Sequence, residues 1–369
     1  MKNKKIPYVN LKLQYKKNRN NILGTIDKVL SSGNYVGGEE IKKFEKKISK
    51  ICNKKYAIGL NSGTDALTLG LFALGVRKGD EVITCPNSFI ASTAVIVHLG
   101  AKPVFVDVND DQNINPLLIE EKITKKTKAI MPIHLTGRVC QMNKINFISK
   151  KYNIPIIEDA AQSISSKFNN KPAGSFGKIS CFSAHPLKNL NAYGDAGYLL
   201  TDDSNIYKLI KDISNHGMSD RDKIKNFGYV SRMDNIQASI LNFKLKILKK
   251  VIYRRRENAN LYFKNLNLEK IFIPPETKEE FNTYHTFVVQ VSNRDKLKKY
   301  LEKKGILTSI HYPIPIHLQP AAKNLGYRRG DFPMTEMQAK KILSLPIHEN
   351  LKQNEILYIC KMINNFFSI

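Results

Sequence analysis

Short apolar runs alternate with helical patterns through the first two thirds of the chain. The runs are Tyr56–Leu60, Glu81–Cys85, Pro103–Val108, Lys128–His134, Pro155–Glu158, Ile179–Phe182 and Gly197–Thr201. Each is nearly continuous in apolar residues rather than alternating, the mark of a strand covered on both faces. Between them, apolar positions recur at helical spacing over Asp65–Leu74, Ile90–Leu99, Met142–Lys151 and Ser204–Ile213. Two more helical patterns flank the glycine-rich turn Ser32-Gly-Asn-Tyr-Val-Gly-Gly38. Strand–helix alternation of this kind predicts a mostly parallel, seven-stranded sheet sandwiched by helices. A long helical pattern from Asn235 to Leu266 leads to a smaller α+β unit with a strand at Thr286–Val291, a helix near Arg294–Lys304 and a last helix near Asn354–Phe367. The pattern divides the chain into a large domain over 1–245 and a small domain over 246–369.

Composition bounds the picture without changing it. The 369 residues suffice for a large core and more than one structural unit. No run of about 18 apolar residues appears, so no membrane span is expected. Met1 to Lys5 is basic, and no apolar signal core follows it. The five cysteines, Cys52, Cys85, Cys140, Cys181 and Cys360, are scattered singly. That spacing suggests neither zinc nor a disulfide framework and fits reduced thiols in a cytoplasm. The formal charge of +27 raises the question of nucleic acid. The lysines, however, are spread in pairs such as Lys42-Lys43, Lys125-Lys126 and Lys249-Lys250, without a helix-turn-helix or zinc-finger spacing. They read as solvated surface that attracts anions as a by-product; no nucleic-acid partner is expected.

Three stretches carry candidate chemistry. In the first, Lys188 stands among turn-forming residues between two apolar runs, Ile179–Phe182 and Gly197–Thr201. Desolvation lowers an amine's pKa and turns it into a nucleophile for carbonyls; the bland reading is a loop lysine paired with Asp195. In the second, Glu158-Asp159 ends the run Ile154–Ile157. Ligands of open α/β sheets bind outside the carboxyl ends of strands, although an acid there can equally cap a following helix. A lysine for an aldehyde and an acid for a ring nitrogen are the two parts that pyridoxal phosphate needs. In the third, Asn61-Ser-Gly-Thr-Asp-Ala-Leu67 joins a strand to a helix start, where backbone N–H groups and the helix dipole favour an anion.

Taken together these stretches resemble the DegT/DnrJ/EryC1/StrS family of sugar aminotransferases. The residues that carry the resemblance are S-G-T-D-A-L (62–67), P-N-S-F-I-A-S (86–92), E-D-A-A-Q (158–162), F-S-A-H-P-L-K-N-L (182–190) and S-R-M-D-N-I-Q-A (231–238), with H-Y-P-I-P-I-H-L-Q-P (311–320) and L-S-L-P-I-H (343–348). They follow the family's order over nearly the whole chain. The resemblance implies the fold-type I aminotransferase architecture and pyridoxal 5'-phosphate as cofactor. It assigns Lys188 as the Schiff-base lysine and proton carrier and Asp159 as the acid at the pyridine nitrogen. Gln162 would contact the ring's 3-hydroxyl. Phe89 would stack on the ring, with a plain core phenylalanine as its alternative. Gly63, Thr64 and Ser183 would hold the phosphate. Relatives that dehydrate sugars carry a histidine in place of the lysine; here the lysine is kept and His185 lies three residues earlier, which favours transamination.

The resemblance further implies a nucleotide-linked keto-deoxysugar as substrate, L-glutamate as amino donor, a role in surface polysaccharide synthesis, and a homodimer with shared active sites. Substrate contacts would come from His185, Arg232, His311, Tyr312, His317 and Glu336, with His134 and Arg138 as weaker candidates. The chain departs from the pattern at Val230, where the family carries an asparagine that reaches the neighbouring subunit's cofactor phosphate; Tyr229 or Ser231 could replace it. A keto sugar without a nucleotide is the alternative substrate. A dehydratase and a non-catalytic regulator are more distant readings.

Overall fold

The computed structural model describes residues 5–220 and 222–368; residues 1–4, most of the basic start, lie outside the described residues. Two helices open the chain, α1 (Leu11–Ser32) and α2 (Glu39–Ile51), on either side of the glycine turn. Then come β1 (Tyr56–Leu60), α3 (Gly63–Ala73), β2 (Glu81–Thr84), α4 (Ala91–His98), β3 (Lys102–Phe105), β4 (Thr127–Ile130), α5 (Met142–Tyr152) and β5 (Ile157–Asp159). Two short strands, β6 (Lys167–Phe168) and β7 (Lys171–Pro172), precede β8 (Ile179–Ser183), β9 (Gly197–Thr201) and α6 (Ser204–Ile213). A hairpin of β10 (Met218–Asp220) and β11 (Lys223–Ile224) leads into α7 (Asn235–Asn265). The C-terminal part holds β12 (Ile271–Phe272), β13 (Glu280–Phe281), β14 (Phe287–Val291), α8 (Arg294–Lys303), α9 (Pro333–Lys341), β15 (Ile342–Leu345) and α10 (Gln353–Phe367).

The seven expected strands form one layer in the order β1-β9-β8-β5 and, continuing through bridges at Ile130–Ile156 and Ile133–Asp159, β4-β2-β3. Pairing is parallel from β8 through β5 and from β4 through β2 to β3. It is antiparallel where β9 meets both β1 and β8. The reversal has a local cause. β8 and β9 are joined by the 13-residue loop that carries Lys188, with no crossover helix to return the chain to the same edge. β1, β5, β8 and β9 are buried almost throughout, as their apolar runs require.

Hydrophobic cores pack on both faces of this layer. A separate core gathers β14, β15, α8, α10 and the far end of α7, with Ile6 from the N-terminal arm. Position 245 lies within α7, whose 31 residues run without a break from the first body of core to the other. Its length follows from an uninterrupted helical sequence without Gly or Pro. Among the described residues no helix is long and apolar enough to cross a membrane.

Candidate active site

A cavity of about 420 Å³ opens at the carboxyl ends of β5 and β8, beside the start of α3. It is the place where an open α/β sheet binds ligands. The sequence of β5 divides its two acids between opposite faces, because neighbouring side chains of a strand point opposite ways. Glu158 turns inward and is fully used by the protein. It receives Nε2 of His134 at 2.9 Å and the backbone N–H groups of Gly174, Phe176 and Gly177 at 2.8, 2.8 and 2.6 Å. Burial acts to raise its carboxyl, and these donors outweigh that and hold it below the ordinary range. Asp159 turns to the cavity. Its Oδ2 accepts from Ser92 Oγ at 2.7 Å and its Oδ1 from Ala161 N at 3.1 Å.

Lys188 projects into the same cavity from the loop between β8 and β9. Burial pulls its ammonium down to about 8, and the Asp159 charge opposes that shift. Among the described residues it makes no ion pair with Asp195 or any other acid. The loop is held by the Lys188 N–H to His185 O bond at 2.8 Å, by Asn189 donating to Thr283 O, and by Asn191 donating to Pro186 O.

The start of α3 forms the next wall. Ser62 caps the helix by accepting from Asp65 N at 3.1 Å, a contact worth about 1 kcal/mol. Gly63 is required by packing: a Cβ there would stand 2.7 Å from Ser183 Cβ. Ser62, Gly63, Thr64 and Ser183 therefore lie together on the cavity surface. Phe89 is 56 % exposed and lines the cavity, so it is not a core residue. Its ring faces that of Tyr312 at 6.1 Å. Gln162 Oε1 accepts from Thr136 N at 2.8 Å, and its amide N–H₂ donates to the Tyr312 hydroxyl. Thr136 holds that position with φ +62°, a left-handed conformation unusual for threonine.

Of the other expected residues, His185, His311 and Tyr312 line the cavity. Burial and the Lys188 charge bring His311 down to about 4, so its ring is neutral near pH 7. It is bound through Nδ1 to Ser344 at 2.8 Å. His317, Glu336 and Arg232 are not brought to the cavity of the single chain. His317 is buried against Phe332 and held to Glu336 at 3.1 Å. Arg232 donates to Asn215 Oδ1 at 2.8 Å. His134 and Arg138 also lie elsewhere: the first serves Glu158, and the second ties Glu280 and the carbonyls of Pro274 and Pro275. Val230 is exposed and bridges Asn215 outside the cavity.

Sequence reasoning did not single out Ser92, Arg255, His285 or His348, all of which reach the cavity. Ser92 closes the motif that contains Phe89, and its place on the first turn of α4 was the available signal. Arg255 is hidden in a run of three arginines, and nothing in the sequence separates it from its neighbours.

The set fits pyridoxal phosphate. An amine free of ion pairs shares the cavity with a carboxylate, an aromatic ring stands exposed on the wall, and a helix start closes one end. Buried His285 Nδ1 and Thr286 Oγ1, both in cavity-lining residues, have no partner among the described residues.

Comparison with known proteins agrees. Residues 16–364 match the DegT/DnrJ/EryC1/StrS aminotransferase family. The chain is 39 % identical to the dTDP-3-amino-3,6-dideoxy-alpha-D-galactopyranose transaminase of Aneurinibacillus thermoaerophilus, covering 98 % of this chain and 99 % of that protein. It is 37 % identical to a pleiotropic regulatory protein of Geobacillus stearothermophilus, with 98 % of each covered. Among solved structures, DesV of Streptomyces venezuelae in complex with a ketimine intermediate superposes with a TM-score of 0.96 at 33 % identity, covering 98 % of both chains. The chain thus belongs to the DegT/DnrJ/EryC1/StrS aminotransferase family and is a pyridoxal-phosphate-dependent sugar aminotransferase.

Proposed function

We propose that this chain aminates the ketone of a nucleotide-linked deoxysugar at C3 or C4, with L-glutamate as amino donor, on a route to a surface polysaccharide. The observation that carries the reading is the joint placement of Lys188 and Asp159 in one cavity. The substrate class rests on the transaminase relative named above, whose name specifies a dTDP-linked amino sugar.

Pyridoxal phosphate, when bound, supplies an electrophilic aldehyde and a ring that takes up electron density. The chain's own residues then divide the work. Lys188 Nζ, lowered to about 8 by burial, is partly neutral at working pH and can take a proton from a substrate carbon and return it. Asp159 is oriented by Ser92 and Ala161 to hold a proton on the ring nitrogen. Gln162, whose amide N–H₂ also meets Tyr312, would donate to the ring oxygen, and Phe89 would cover the ring face. Gly63, Thr64 and Ser183, which lie together on the cavity surface, would hold the phosphate. His185, His311 and Tyr312, which line the same cavity, would meet the sugar. His317 and Glu336 brace the loop they share rather than contact substrate. A neutral His311 suits a hydroxyl better than a phosphate.

Arg232 belongs to a second part of the reading, a homodimer with shared sites. Ile224, Phe227, Tyr229 and Val230 are exposed apolar residues in one stretch beside Arg232, and Tyr35 and Val36 lie near them through the bridge from Val36 to Asp234. Exposed apolar groups of this kind mark association surfaces. Sedimentation at assay concentration tests it; a fully active monomer is the contrary result.

A half-reaction screen tests the substrate. The enzyme is first converted with L-glutamate to its aminated cofactor form. Each candidate keto sugar is then added, and return of the original cofactor absorbance is followed. Return with nucleotide-linked keto sugars is expected. Return only with keto sugars lacking a nucleotide overturns the substrate claim and leaves the aminotransferase assignment standing.

A further inference from the structure

Behind the lysine loop, away from Asp159 and Phe89, a second cavity of about 720 Å³ opens between α1, α7 and residues 349–352. Among the described residues none lines both cavities. Among the described residues, five cationic side chains line this one, Lys17, Lys244, Lys250, Arg254 and Lys352, against a single carboxylate, Glu349. That carboxylate is already engaged: it accepts from Gln14 Nε2 at 3.0 Å and from Asn350 Nδ2 at 3.1 Å, and lies 3.7 Å from Arg255.

Lys244 is the central feature. It is 4 % exposed, on a helix whose other lysines face solvent. Its hydrogen-bond acceptors are neutral oxygens, Gln14 Oε1 at 2.8 Å and Asn191 Oδ1 at 3.3 Å, with the Tyr193 ring 5.0 Å away. Buried charges are ordinarily paired with an opposite charge. Burial accordingly pulls the ammonium down to about 8, which the Glu349 charge only partly opposes. Lys17 likewise spends its amine on a neutral group, Asn350 Oδ1, at 2.7 Å. Arg254 is paired with Glu257 at 2.7 Å, so the positive charge left without a counter-charge in this cavity is that of its lysines. Ile247, Val251 and Leu351 add an apolar wall.

We propose that this cavity is a second ligand site, specific for an organic or inorganic pyrophosphate, with Lys244 at its floor and Lys17, Lys250, Arg254 and Lys352 at its rim. Compact ammonium groups on flexible stems suit a phosphate anion as point charges. A ligand there would press on Asn191, which binds Lys244 and Pro186 and so spans from the new site to the turn before Lys188. The inference is independent of which sugar the active site takes.

The test uses the holoenzyme, whose own phosphate site is filled by cofactor, and titrates it calorimetrically with inorganic pyrophosphate and, separately, with uridine diphosphate. One saturable equivalent per chain is expected for pyrophosphate. Binding tighter by tenfold or more for the nucleotide, and weakened by the cavity variants below, assigns the apolar wall to its organic part; tighter nucleotide binding that those variants leave unchanged belongs to the active site, and equal binding assigns the site to the inorganic anion. Lys244→Met should weaken binding at least tenfold. Lys17→Gln/Lys250→Gln, which alters only exposed side chains, should do so as well and guards against a folding defect in the first variant. Lys125→Gln/Lys126→Gln, which removes the same charge elsewhere, should change nothing. Absence of saturable binding by either probe, or equal losses in all three variants, overturns the proposal.

Discussion

Lys188 and Lys244 are both pulled to about 8 by burial, the first on the loop between β8 and β9 and the second packed against that loop. The difference lies in what faces each amine. Lys188 shares its cavity with Asp159, the exposed ring of Phe89 and the start of α3. Lys244 faces the amide oxygens of Gln14 and Asn191 and the Tyr193 ring. A lowered pKa therefore does not by itself mark a catalytic amine; its surroundings do. For Lys188 the low value suits the nucleophile and proton carrier proposed above. For Lys244 it measures the absence of an anion.

The largest expected effect separates the two directly. Lys188→Ala should lower turnover by about 10³-fold or more, since both the covalent anchor and the proton carrier are lost. Lys244→Met should leave turnover within a few-fold. Steady-state rates without added amines decide it, and substantial turnover by Lys188→Ala would reverse the assignment.

Asp159→Asn comes next. The amide keeps the shape but cannot hold a proton on a weakly basic ring nitrogen. A loss of about 10²-fold in kcat is expected with cofactor still bound, as absorbance would report. A rate within a few-fold of the parent would remove Asp159 from the chemistry.

Gly63→Val probes the wall that the Lys244 cavity lacks. The added side chain meets Ser183 at a position where even a Cβ stands 2.7 Å away. Overpacking of this kind costs about 1–3 kcal/mol, so cofactor affinity should fall roughly tenfold to a hundredfold. A cofactor titration followed by absorbance measures it, and an unchanged Kd would show that this helix start does not seat the phosphate.

The smallest effect is one the two lysines share. In the cofactor-free protein, the folded chain gives up these protons near pH 8, whereas the unfolded chain holds them to about the ordinary value of 10.5. The unfolded state thus binds more protons between those limits, and stability should rise with pH across that window. Lys244→Met should make the rise shallower. Urea denaturation at pH 8 and pH 9.5 compares the slopes; equal slopes would place the Lys244 amine in a more solvated setting than its burial indicates.

The alternating apolar runs determined most of the large sheet and its helices, because burial on both faces leaves little freedom in composition. They also determined where the two groups fall, Asp159 at the end of a strand and Lys188 in the loop between two. They did not reveal that β9 runs antiparallel to both neighbours, since an apolar run reads the same in either direction. Nor did they reveal β15, whose four residues pair with β14 and become a strand through that pairing.

Within the site, the motif residues on strand ends and helix starts were legible, because local structure fixes where they point. His134, His317 and Glu336 were misleading. A histidine and an acid in sequence do not announce that they will find other groups, and here each is consumed by a partner 19 or 24 positions away. Ser92 and Lys244 carry the same lesson in reverse. Ser92 became a support for Asp159 only when α4 was packed against β5, 67 positions later in the chain. Lys244 sits in a helix among lysines of identical appearance, and only the packing of α1 and the lysine loop against that helix buried this one. Sequence by itself determined which residues could do chemistry and on which elements they stand. Tertiary structure decided which of them are desolvated, paired or left facing a cavity, because those properties belong to neighbours brought together from distant parts of the chain.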